Sequence, residues 1–143
     1  MADVLFVCVH NAGRSQMAKA LFNQAATRLG LSLRADSAGT EIGSHVHPEV
    51  VEVMRELGLD VSNDRPKVIT NEMVQQAKKV VTMGCQVDAD VCPAVFIKGA
   101  EDWGLPDPKN QPVEQVRAIR DTIRRKVDEL LASMAQSPKV TRH

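Results

Sequence analysis

The chain has no tyrosine, one tryptophan and three phenylalanines among 143 residues, so little of it could stack on nucleobases. Neither sign of charge is in excess. Eighteen Lys plus Arg balance eighteen Asp plus Glu, which removes the basic field that would hold a nucleic acid. No apolar run approaches the roughly 20 residues that span a bilayer, and the run following Asp3 is too short for a signal-peptide core. These absences predict a cytoplasmic protein with neither membrane nor nucleic acid as a partner. Cysteines number only three, Cys8, Cys85 and Cys92, and an odd count argues against a static disulfide framework. A thiol in a reducing compartment is either buried or chemically used.

A hydrophobic share of 43% with 25% charged residues fits one compact domain, placed at residues 1–136, with 137–143 expected as a flexible tail. No repeat, long linker or heptad pattern is present, so a monomer is the default. Val4-Leu5-Phe6-Val7 reads as a strand buried on both faces. From Ser15, the spacing of Met17, Ala18, Leu21, Phe22, Ala25 and Leu29 predicts a helix that stops at Gly30. Alternation at Leu31, Leu33 and Ala35 predicts a second strand ending before a Ser37-Ala38-Gly39 turn. Pro48 opens a second helix, with Val50, Val51, Met54 and Leu57 inward and Gly58 as its stop. A short helix over Asn71 to Ala77 leads to a strand at Lys79 to Met83. A fourth strand is expected at Ala94 to Ile97. The last helix begins near Pro112 and turns Val116, Ile119, Ile123, Val127, Leu130 and Met134 inward, its Arg and Lys residues solvated. Strands alternating with helices predict an α/β domain whose four-stranded parallel sheet is covered on both faces.

Cys8-Val9-His10-Asn11-Ala12-Gly13-Arg14-Ser15 joins the first strand to the first helix. Backbone amides there can converge at a helix amino terminus, where anions bind, so Val9, His10, Asn11, Ala12, Gly13 and Arg14 are candidate binders of a tetrahedral oxyanion. The same positive environment favours the Cys8 thiolate, the reactive form. Arg14 can grip two oxygens at once, and Ser15 can donate a hydrogen bond to the sulfur. A buried structural cysteine beside a solvated arginine is the bland alternative.

Asp107 lies between two prolines, which restrict the backbone and aim its carboxyl, although a loop Asp is commonly a turn former. Cys85 and Cys92 flank a short polar segment that can bend to bring the two sulfurs together. Cys85 follows a strand as Cys8 does, which puts both at the carboxyl edge of a parallel sheet. Two unrelated free thiols, or a partial metal site lacking a fourth ligand, remain alternatives. His45 and His47 form a His-x-His with nothing to complete a metal site, and His10 reads equally as an ordinary loop residue. Trp103 reads as a hydrophobic plug, with a place at the site rim as the alternative because it stands close to Asp107.

The combination of strand, Cys8, five residues, Arg14, Ser15 and helix resembles the low-molecular-weight protein tyrosine phosphatase superfamily. The similarity is closer to its thioredoxin-coupled arsenate reductase branch. It is carried by Cys8 to Ala18, Ser37-Ala-Gly39, Asp60-Val-Ser-Asn63, Val80-Val-Thr-Met-Gly-Cys85, Cys92-Pro93 and Trp103-Gly-Leu-Pro-Asp-Pro108. The resemblance implies arsenate as substrate, Cys8 as nucleophile and Asp107 as general acid. It further implies a relay in which Cys85 attacks Cys8 and Cys92 attacks Cys85, with no bound cofactor and with reducing equivalents from thioredoxin. Some members of that branch bind potassium beside the loop, at positions falling on Asn11, Lys19, Ser37 and Lys67. Two lysines there cannot ligate a cation, so no metal site is expected. Lys19 or Lys67 would take over the charge, or both would be plain surface residues, while Asn11 and Ser37 fix the loop by hydrogen bonds. Two other readings stand beside this one: a phosphomonoesterase in which water resolves a Cys8 phospho-intermediate, and a redox-sensing or oxyanion-binding module.

Overall fold

A computed structural model describes residues 2–8, 10–40, 43–83, 101–106, 108 and 110–141, with backbone only from 136 onward. The elements are β1 (Val4–Cys8), α1 (Arg14–Arg28), β2 (Ala35–Gly39), α2 (Pro48–Arg55), α3 (Asn71–Gln76), β3 (Lys79–Thr82), β4 (Glu101–Asp102) and α4 (Val113–Thr141). The four strands form one sheet in the order β2-β1-β3-β4, and every pairing is parallel.

The apolar run at the amino terminus becomes the centre of the sheet. Along β1, Val4, Phe6 and Cys8 face the larger core, built with Met17, Leu21, Phe22, Val50, Met54, Val116, Ile123 and Val127 from α1, α2 and α4. Leu5 and Val7 face the other side with Ala38 and Val80, under a thinner cover that includes Ile69, Met73 and Val74. This alternation is the period-two signature of a strand buried on both faces. All four carboxyl ends then point the same way, and the turn from Cys8 into α1 sits on that edge.

Sequence and structure differ at several places. The second strand is not Leu31 to Ala35 but Ala35–Gly39, paired from Val4↔Ala35 to Cys8↔Gly39, so the expected Ser37-Ala38-Gly39 turn is the strand itself. The pairing buries this stretch except for the half-buried Asp36, whereas Leu31 and Leu33, the source of the alternation, are only partly buried against the helical core. Leu29 is 59% exposed, because α1 ends at Arg28 and Gly30 (φ 72) turns the chain away. In α4, Leu131 rather than Leu130 is fully buried. Arg120 is also turned inward, donating from Nη1 to the carbonyl of Val53 (2.8 Å) and to Glu56 (2.7 Å). Helix α4 continues through Thr141, past the expected start of the tail at 137. The strand expected at Ala94 to Ile97 lies outside the described residues; β4 pairs with β3 at Glu101 and Asp102.

Strand β2 lies at the sheet edge, and most of its outward hydrogen-bonding groups, those of Ala35 and Gly39 and the Ser37 N–H, are occupied locally. The Asn23 side chain bonds the N–H (2.8 Å) and carbonyl (3.1 Å) of Ala35, and Asp36 Oδ1 accepts from Ser37 N–H (2.8 Å). Gly39 donates to the Lys67 carbonyl (2.8 Å) and accepts from Ile69 N–H (2.9 Å).

Candidate active site

Beyond Cys8 the chain turns through Asn11, held at φ 52, and enters α1 at Arg14. Gly13 precedes the helix without a side-chain cap, and the first turn carries no acidic residue. The positive end of the helix is thus not neutralised by a carboxylate of its own first turn. Cys8 is buried, and its sulfur accepts the Asn11 N–H at 3.2 Å and lies 2.8 Å from Ser15 Oγ. Asn11 Nδ2 donates to the same Ser15 oxygen at 2.8 Å. Gln16 Nε2 in turn donates to the Asn11 carbonyl (3.0 Å) and to Asn11 Oδ1 (3.2 Å).

Arg14 is nearly buried. Its Nη1 donates to the carbonyls of Met83 (2.9 Å) and Leu105 (2.8 Å), so the ends of the third and fourth parallel segments hold the guanidinium over the loop. The loop also has an outer wall: Gly43 N–H donates to the His10 carbonyl (3.0 Å) and His47 N–H to the Ala12 carbonyl (2.9 Å). Gly13 has no room for a side chain, since a Cβ there would lie 2.9 Å from Pro108 Cγ and 3.4 Å from His47 Cδ2. Trp103 is the plug the sequence suggested, buried against Phe6 (ring centroids 5.6 Å) with Nε1 donating to Glu101 (2.7 Å).

The structure therefore gathers Cys8 at the end of β1, His10, Asn11, Ala12 and Gly13 of the loop, and Arg14 and Ser15 of the first turn of α1. Val9, Cys85, Cys92 and Asp107 lie outside the described residues. Lys67 meets the loop through its main chain, donating its N–H to Asn11 Oδ1 at 2.9 Å, while its ammonium lies 2.7 Å from both carboxylate oxygens of Asp36. Burial works to raise the Asp36 pKa, yet the Lys67 ammonium and the Ser37 N–H outweigh it and hold the carboxyl below its ordinary value. Lys19 adds a further positive charge near Asp36 and borders a cleft with Asp60 and Asp64. A potassium ion does not fit the set Asn11, Lys19, Ser37 and Lys67, because an ammonium already pairs with the carboxylate beside it. Among the described residues the buried Ser37 Oγ has no hydrogen-bond partner, so the expected bond to the loop is not seen there; its backbone N–H turns to Asp36.

Sequence reading missed Gln16, Asp36 and the two carbonyls that hold Arg14. Gln16 stands inside the motif and was open to notice as a buried amide. A backbone carbonyl has no sequence signature at all.

Comparison with known proteins places this geometry. A Halobacterium salinarum protein, provisionally named an arsenate reductase, is 42% identical over 130 residues, covering 87% of each chain. The glutaredoxin arsenate reductase of Synechocystis is 34% identical over 140 residues, covering 94% of this chain and all of that one. Among solved structures, the thioredoxin-dependent arsenate reductase of Corynebacterium glutamicum superposes with a TM-score of 0.75 at 37% identity, covering 96% of this chain and 63% of that one. Residues 3–140 match the model of the low molecular weight phosphotyrosine protein phosphatase family, and the chain belongs to that family.

Proposed function

We propose that the chain is an arsenate reductase that turns over through Cys8, Cys85 and Cys92, with thioredoxin as the final reductant. The observation that carries this reading is the Cys8 sulfur, buried at the end of β1 and facing both the Asn11 amide and the Ser15 hydroxyl of α1, with Arg14 anchored by two carbonyls. Support for arsenate comes from the names of the relatives at 34% and 42% identity.

Arsenate docks on the loop amides and on the Arg14 edge left free by Nη1. The Cys8 thiolate forms an S–As bond while Asp107 protonates the departing oxygen, which leaves as water. Cys85 then attacks the Cys8 sulfur. The S–As bond breaks, its electron pair stays with arsenic, and arsenite departs, leaving a Cys8–Cys85 disulfide. Cys92 attacks Cys85, frees Cys8 as a thiolate, and leaves a Cys85–Cys92 disulfide for reduction by thioredoxin. One relative is named for glutaredoxin and one structural neighbour for thioredoxin, so the reductant is the step on which close relatives diverge.

The test follows NADPH loss with arsenate, thioredoxin and thioredoxin reductase for the wild type and for Cys8→Ser, Cys85→Ser and Cys92→Ser. Oxidation that depends on arsenate and disappears in all three variants is expected. Cys92→Ser should stop after one turnover at the Cys8–Cys85 disulfide, and normal recycling by that variant would remove Cys92 from the scheme. A second reading, phosphate monoester hydrolysis, is favoured by the same oxyanion loop and by the family match. Efficient aryl phosphate hydrolysis that does not need Cys85 would put that reading first.

A further inference from the structure

We infer that Asp36 and Lys67 act as a positioning pair that sets the direction of the hydrogen-bond chain ending on the Cys8 sulfur. The inference rests on Cys8 being the nucleophile. A backbone N–H can only donate, so the Asn11 side-chain atom 2.9 Å from Lys67 N is the oxygen. That assignment turns Asn11 Nδ2 toward Ser15 Oγ, 2.8 Å away. Having accepted from Asn11, the Ser15 hydroxyl has its own proton to give to the sulfur at 2.8 Å. With the amide reversed, Asn11 would offer Ser15 an acceptor, and the hydroxyl proton would be drawn away from the thiolate. Lys67 N–H is the group that forbids the reversal, and Gln16 Nε2 supports it from the other side at 3.2 Å.

The N–H can serve as that key only if Lys67 stays in place, and it stands in a stretch with no helix or extended strand of its own. Two attachments fix it to β2. Its carbonyl accepts from Gly39 N–H, with Ile69 N–H returning to the Gly39 carbonyl, and its ammonium spans both oxygens of Asp36. The peptide bridge holds the end of β2 and the ion pair holds its middle, so the main chain between them cannot slide relative to Asn11. Asp36 has no place in the loop motif and touches no substrate position; it acts through Lys67. Apart from Lys67 itself, Lys19 of α1 is the charge acting on Asp36, and Arg14, the first residue of α1, stands on the Cys8 side.

The test uses protein carrying Cys85→Ser and Cys92→Ser, which leaves Cys8 as the one thiol in the chain. Alkylation of Cys8 by iodoacetamide is followed from pH 5 to pH 9 in this parent and with Lys67→Gln, Asp36→Ala, both together, and Lys67→Arg added. The pair is partly exposed, so each single variant is expected to slow alkylation at pH 6 by about fivefold and to move the profile to higher pH. The double variant should be no worse than either single one, Lys67→Arg should keep the parent profile, and the melting temperature should hardly move. Unchanged profiles in Lys67→Gln and Asp36→Ala, or effects that add independently, would overturn the inference. A parent whose thiol is unreactive throughout would instead overturn Cys8 as nucleophile, so the two failures are distinct.

Discussion

Adding one methyl group at Gly13 tests whether the loop and the segment after β4 act as one unit. A Cβ on Gly13 would stand 2.9 Å from Pro108 Cγ and 3.6 Å from Pro108 Cδ. Carbon atoms rest at about 3.5–4.0 Å, so relief needs a displacement of roughly 0.6 to 1 Å. The pyrrolidine ring cannot rotate out of the way, and His47 Cδ2 at 3.4 Å closes the other side. Either the loop amides or Pro108 must move. Overpacking of this kind costs about 1–3 kcal/mol of stability, and a misplacement of about 1 Å at a reacting centre costs on the order of 100-fold in rate. Gly13→Ala is therefore expected to lower kcat for arsenate reduction by between about 10- and 100-fold while the melting temperature falls by several degrees. Single-turnover arsenite release and a thermal melt measure the two. Pro108→Ala removes the ring atoms the methyl group meets, so Gly13→Ala with Pro108→Ala should recover most of the loss. A Gly13→Ala enzyme with wild-type kcat refutes the reasoning, and so does a double variant no faster than the single one.

Arg14→Lys keeps the charge but cannot bond two carbonyls and two oxyanion positions together, so kcat/KM should fall by about 100-fold with little change in melting temperature; a tenfold loss or less would show that charge alone suffices. Glu56 is paired with Arg117 and Arg120, whose hydrogen bonds bring its pKa from 4.5 down to about 2. Its stabilising contribution is complete above about pH 4.5 and is lost as pH falls toward 2, so the wild-type melting temperature should drop faster over that window than that of Glu56→Gln. Parallel melting curves would refute the linkage. Replacing sodium by potassium at constant ionic strength should leave rate and melting temperature unchanged, because the Lys67 ammonium holds the charge beside Asp36; a potassium-specific gain would contradict that assignment.

Much of this fold could be read from the chain because its strongest signals were local. Continuous burial at Val4 to Val7, Pro48 at a helix start and Gly58 (φ 77) beyond its end are properties of short windows. The second strand was misplaced for the opposite reason. Nothing in Asp36-Ser37-Ala38-Gly39 favours a strand intrinsically, and only pairing with β1 makes it one. Arg120 shows the same limit, since its burial depends on a carbonyl and a carboxylate contributed by α2 and the residue after it. Within the site, side chains carried by the motif were legible, whereas Asp36 and the carbonyls of Met83 and Leu105 reach the loop only through the folded chain.

An edge strand ordinarily offers a template on which a second chain can grow, and parallel sheets with exposed edges are prone to aggregate. Here Asn23, Asp36 and the short parallel bridge at Lys67–Ile69 occupy the outward groups of Ala35 and Gly39 and the Ser37 N–H, most of what an incoming strand would need. Strand addition at this edge would have to strip away several existing hydrogen bonds before forming its first. The bridge that steadies Asn11 thus also guards against polymerisation, and a substitution that freed it would be expected to trade solubility along with reactivity.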